Sequence, residues 1–114
     1  MAQVKVKEIN LERGYPTVET ALREMVDQLG TSKRQGYRAV ILIHGYGSTG
    51  QGGKIKTAVR AKLKESSLSG LVKTSCSGDE WPEQKKHYID FCPQLREFES
   101  RIRGNSGVTV VLLK

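Results

Sequence analysis

The run Ala39-Val40-Ile41-Leu42-Ile43-His44-Gly45-Tyr46-Gly47-Ser48-Thr49-Gly50-Gln51-Gly52-Gly53 passes without a break from apolar, mostly β-branched positions into a glycine-rich segment. A short, uninterrupted apolar stretch of this kind reads as a strand buried on both faces, as parallel sheets require. A helix is expected next, from about Lys54 to Glu65. Within it Ile55, Val59 and Leu63 recur every fourth residue and face a core, while Lys56, Arg60 and Lys64 repeat at the same interval on another face. Strand, glycine loop and helix in this order aim free backbone N–H groups and a positive helix end at an anion.

Two nucleotide-binding patterns are tested against this loop. A Walker-type loop needs Gly, four residues, then Gly-Lys-Ser/Thr, but Gly53-Lys54 is followed by Ile55 and preceded at the required distance by Ser48. Gly45-x-Gly47-x-x-Gly50 satisfies the dinucleotide fingerprint as a string. Gln51-Gly52-Gly53 delay the helix, however, and the chain lacks room for both halves of a dinucleotide fold. What remains is a backbone-rich anion site flanked by lysines, set against a plain surface loop whose glycines satisfy turn geometry.

Outward from this centre, Val4, Val6, Ile9 and Leu11 predict an N-terminal strand whose alternation slips between Val6 and Ile9. Thr17 is placed as the N-cap of a helix with Glu19 in its first turn and an apolar stripe of Val18, Ala21, Leu22, Met25 and Leu29; Gly36 is its C-terminal glycine. Residues 71–76 predict a weaker third strand and residues 108–113 a strong last one. Pro93, with Leu95, Phe98 and Ile102 at helical spacing, predicts one helix inserted between them within the polar segment 78–104. The expected fold is an α/β (α+β) two-layer sandwich, β-α-β-α-β-(inserted helix)-β, with a mixed four-stranded sheet and right-handed first crossovers, in a single domain over residues 1–114.

The 114 residues carry a net charge of +7, and residues 38–77, with seven basic side chains and one acidic, hold most of it. An excess of this kind points to polyanions as partners. No apolar run approaches the roughly 20 residues that span a bilayer, and Met1–Lys7 lacks the apolar core of a secretory signal, so the expected location is cytoplasmic, with no membrane partner. Cys76 and Cys92 read as ordinary reduced thiols.

His44 stands at the mouth of the loop. An imidazole there can exchange a proton near neutral pH or, when charged, hydrogen-bond to a phosphate oxygen; the plainer reading is a strand-end histidine bonded to backbone. His44, His87, Cys76 and Cys92 offer metal-ligand types without the tight spacing of a zinc site. The Lys56, Arg60 and Lys64 face, with Lys54 and Lys62 beside it, has Glu65 as its one acidic neighbour in the helix, an imbalance that favours a polyanion ligand over a solvated charged face.

His44-Gly45-Tyr46-Gly47 after a buried strand, the basic helix behind it, Thr17-Val18-Glu19-Thr20-Ala21-Leu22 and the closing Gly107-Val108-Thr109-Val110-Val111-Leu112 together resemble the Smr (small MutS-related) domain. The resemblance implies a sandwich like the C-terminal domain of translation initiation factor three, binding of DNA or RNA and, in several members, endonuclease activity. His44, Gly45 and Gly47 match the family's His-Gly-x-Gly motif. Its Leu-Asp-x-His-Gly motif is altered: Asn10 stands at the Asp and Glu12 or Arg13 near the His, with extra residues before Thr17.

The expected function is therefore nucleic-acid binding through Arg13, His44, Gly45, Gly47, Lys54, Lys56, Arg60 and Lys64. Phosphodiester hydrolysis is a second expectation, with His44 as acid/base, Glu12 as its partner and a divalent Mg or Mn ion as the cofactor a nuclease would use. The alternative is a non-catalytic adaptor that docks a protein partner, or stacks bases, on Trp81, Tyr88, Phe91 and Phe98 of the inserted segment.

Overall fold

The computed structural model describes residues 5–12, 17–45 and 52–114. Arg13 and Gly47, both expected at the site, lie outside them. Four strands, β1 (Val6–Asn10), β2 (Ala39–Ile43), β3 (Val72–Ser77) and β4 (Val108–Leu113), form one mixed sheet in the order β1-β2-β4-β3. β1 and β2 are parallel, and β4 runs antiparallel to both β2 and β3. The carboxyl ends of β1, β2 and β3 and the amino end of β4 thus meet along one end of the sheet.

Helices α1 (Val18–Arg34) and α2 (Gly52–Leu63) join β1 to β2 and β2 to β3. Thr17 caps α1 by accepting a hydrogen bond from the Thr20 N–H, and Gly36, at φ +89°, carries the chain out of it in the left-handed region, as expected. Ala21, Met25 and Leu29 of α1 and Ile55, Val59 and Leu63 of α2 bury against Ile9, Leu11, Val40, Leu42, Val111 and Leu113.

The opposite face of the sheet, with Val6, Ala39, Ile41, Val110 and Leu112, is covered by the 78–104 segment. This explains the slip in β1: Val6 packs under one cover and Ile9 under the other, an odd spacing that only a strand buried on both sides tolerates. In β3 a register shift between Val72 and Thr74 likewise turns Val72 to one face and Cys76 to the other.

The expected single helix beginning at Pro93 is corrected. The segment opens with helix α3 (Trp81–Phe91), Pro93 starts a 3₁₀ turn (Pro93–Phe98), and a short helix α4 (Glu99–Ile102) follows. α3 escaped sequence reading because Trp81, Tyr88 and Ile89 are its only buried positions and polar residues fill the turns between. Trp81 and Tyr88 meet edge to face at 5.9 Å and are 0% and 1% exposed, and the Trp81 indole N–H donates to Glu99, itself paired with Lys85 at 2.7 Å. Burial removes both rings from any docking or stacking surface. Phe91 and Phe98 are half-buried.

Candidate functional site

At the shared strand end the backbones crowd together. The N–H groups of His44 and Gly45 both donate to the carbonyl of Gly107 at 3.0 Å, and the Leu11 N–H donates to Ile43 at 2.8 Å, carrying the β1 pairing past its last residue. Gly45 adopts φ +81°, where a side chain is strained. A Cβ there would also stand 2.7 Å from the Cδ of Glu12, an exposed side chain that can move aside. At Gly107 a Cβ would stand 3.1 Å from the Asn105 side-chain oxygen and 3.2 Å from the Gly45 carbonyl carbon, a tight but lesser crowding.

Glu12 is therefore brought beside Gly45, with its carboxylate exposed. Asn10 holds this corner, its side-chain oxygen accepting the Glu12 N–H at 2.8 Å. Asn10 thus serves here as a turn-forming acceptor.

His44 is buried at 0% exposure. Its Nδ1 lies 3.0 Å from the Gly45 carbonyl and its Nε2 2.8 Å from the Thr109 hydroxyl. A carbonyl only accepts, so Nδ1 carries the proton and Nε2 accepts from Thr109 in the neutral ring. Burial lowers the pKa of His44 below its ordinary 6.5; the bond to Gly45 opposes this, and the positive charges of Arg60 and Lys56 add to it. The imidazole is thus a neutral, doubly bonded brace between β2 and β4, as the plainer of its two sequence readings has it. Sequence reading missed Thr109, although a lone hydroxyl in the apolar run Val108–Leu113 is the signal of a buried polar partner.

α2 delivers the cations. Ile55, Val59 and Leu63 fix its rotation by burial. Lys56 and Arg60 are half-buried, Lys54 and Lys64 exposed. The charges of Arg60 and Lys56 both lower the His44 pKa, each by less than burial does. Arg60 and Lys64 also act on Glu80, a residue absent from the sequence prediction. That carboxylate accepts the Ser77 N–H at 3.0 Å and hydroxyl at 3.1 Å, and these bonds, ahead of the two cations, hold its pKa below the usual range. Lys62 pairs with Glu65 at 3.0 Å and leaves the ladder. Among the described residues, Arg60 Nη2 is buried with no hydrogen-bond partner.

No three His, Cys, Asp or Glu side chains converge on a possible metal position among the described residues. Glu12 is exposed and both nitrogens of His44 are engaged, so these two do not by themselves make a site for Mg or Mn.

Fold and site define a mixed α+β sheet whose strand ends close on two buried glycines, Gly45 and Gly107, with a cationic helix joining β2 to β3. The chain belongs to the Smr domain family, whose model matches residues 13–114. It is 34% identical over 97 residues to Endonuclease MutS2 of Aquifex aeolicus (strain VF5), a match that takes in 85% of this chain and 9% of that much longer protein. The crystal structure of the Smr domain of Thermus thermophilus MutS2 has a TM-score of 0.61 and 25% identity, covering 95% of this chain and 98% of that one. No helix among the described residues is long and apolar enough to cross a membrane.

Proposed function

We propose that this domain binds the sugar–phosphate backbone of DNA or RNA through the cationic face of α2, on the side of the strand end that carries His44. The observation that carries this reading is the row Lys56, Arg60 and Lys64 on α2, none of which forms an ion pair with a carboxylate among the described residues, Lys64 being exposed and Arg60 half-buried with an Nη2 that a small side-chain movement would free for an outside acceptor. An unsatisfied buried donor on a charged group is costly, and a phosphate oxygen is the acceptor a guanidinium fits best. Lys56 adds charge beside it, and the exposed Lys54 and Lys64 extend the positive face toward solvent.

Relationship to an endonuclease by name supports cleavage as a second activity. In this geometry the exposed Glu12 carboxylate is the group placed to take a proton, and His44, with both nitrogens engaged, is a positioning residue that fixes the Gly45 turn. On this reading Glu12, rather than His44, is the acid/base of the pair. Glu12→Gln should then abolish any cutting while leaving binding intact.

Chemical-shift mapping with short single-stranded RNA and DNA tests the binding reading. The amides of Gly45, Gly107 and the first turns of α2 should move saturably. Shifts confined to other surfaces, or none, would refute it.

A further inference from the structure

At the other end of the sheet, where β2 and β3 begin and β4 ends, lies a cleft of about 480 Å³. Lys33, Arg38, Lys73 and Lys114 line it together with Tyr37 and Phe91, and no acidic side chain does. We propose that this cleft is a second binding site, taking a phosphate-bearing anion. It does not depend on the strand-end reading, because it shares no residue with that site.

Two of its cations are held by one ring. The Arg38 guanidinium sits 4.4 Å from the Phe91 centroid and the Lys73 ammonium 5.5 Å from it. The two charges therefore lie no more than about 10 Å apart, within a Debye length at ordinary ionic strength, so their repulsion is only partly screened. Lys33 is fixed as well, its ammonium donating to the Gly70 carbonyl at 2.9 Å. Lys7 stands 5.5 Å over the Tyr37 ring.

None of the four lining cations forms an ion pair with a carboxylate among the described residues, whereas Arg23, Lys62, Lys85 and Arg101 all do. Positive charge is thus concentrated and partly immobilised around aromatic surface with no carboxylate side chain lining the cleft. A phosphate group supplies the missing countercharge at a small ordering cost. The volume suits a nucleotide unit rather than a bare ion. Charge placement in the sequence agrees: Arg38 and Lys73 belong to the basic stretch 38–77 but lie apart from the α2 ladder.

The ligand chemistry has two sources, a phosphodiester within a nucleic acid or the terminal phosphates of a small compound. The test follows the amides of Gly36, Arg38, Lys73 and Leu113 by NMR during titration with pyrophosphate, with a single-stranded 12-mer and with sodium chloride at matched ionic strength. Saturable shifts with pyrophosphate or the 12-mer but not with chloride support the site. Response to the 12-mer assigns it to a nucleic-acid backbone, and response to pyrophosphate alone assigns it to a small phosphate compound.

Lys73→Glu, on an exposed side chain, should weaken the effective ligand by roughly tenfold or more. Arg38→Gln should do the same, its fold checked by the unchanged amide spectrum of β4. Shifts that chloride reproduces, or cleft amides that neither probe moves, overturn the proposal whatever the strand-end amides do. Cleft shifts with silent Gly45 and Gly107 amides would instead refute the strand-end reading alone.

Discussion

Thr109 places its hydroxyl 2.8 Å from Nε2 of His44, joining β4 to the end of β2 through a pair of fully buried polar groups. Because Nδ1 is spent on the Gly45 carbonyl, this bond completes the ring's hydrogen bonding and fixes its tautomer. Thr109→Val keeps the shape but leaves Nε2 buried without a donor, which should cost about 1–3 kcal/mol in chemical denaturation. Unchanged stability would mean that the hydroxyl does not serve the ring.

The same burial makes stability depend on pH. The folded state keeps His44 neutral, while the unfolded chain protonates it with the ordinary pKa of 6.5. Below that value the unfolded state binds more protons, so this residue's contribution is fully present above pH 6.5 and declines as pH falls through the lowered folded pKa. Denaturation midpoints from pH 7.5 down to 5 should fall, and His44→Asn should flatten that dependence. Arg60→Met should raise the His44 pKa, measured by NMR titration, because the guanidinium charge helps depress it.

Gly45 is required for its φ of +81°, whereas the exposed Glu12 carboxylate beside it can swing away from an added methyl group. Gly45→Ala should destabilise by about 1–3 kcal/mol in chemical denaturation. Adding Glu12→Ala should recover little of that loss. Full recovery in the double variant would show that the carboxylate, and not the backbone, sets the cost.

Trp81 should behave as a core residue. Its fluorescence should resist acrylamide quenching with or without oligonucleotide, and Trp81→Ala should cost about 3–5 kcal/mol. Ready quenching that an oligonucleotide suppresses would restore the aromatic segment as a binding surface.

Much of this was legible from local pattern. The five-residue apolar run at Ala39–Ile43, the Thr17 cap and the fourfold spacing of Ile55, Val59 and Leu63 each determine an element with little help from the rest of the chain. α3 was not legible, because its stability comes from laying Trp81 and Tyr88 on a sheet face assembled from distant strands. At the site, the string His44-Gly45 marks a strand end but does not reveal the partners of the imidazole. Only the fold brings Thr109 to the imidazole and Glu12 to Gly45, and separations of that length in the sequence leave no periodic trace.

The central claim is that Arg60 meets a backbone phosphate, and its most direct test is the salt dependence of oligonucleotide binding by fluorescence anisotropy. For wild type, the logarithm of affinity should fall linearly with the logarithm of salt concentration. Arg60→Gln should weaken binding and make the slope shallower by about 0.9 on duplex DNA or about 0.7 on single strands, the loss of one phosphate contact. Equal affinity and equal slope for the two proteins would contradict the account.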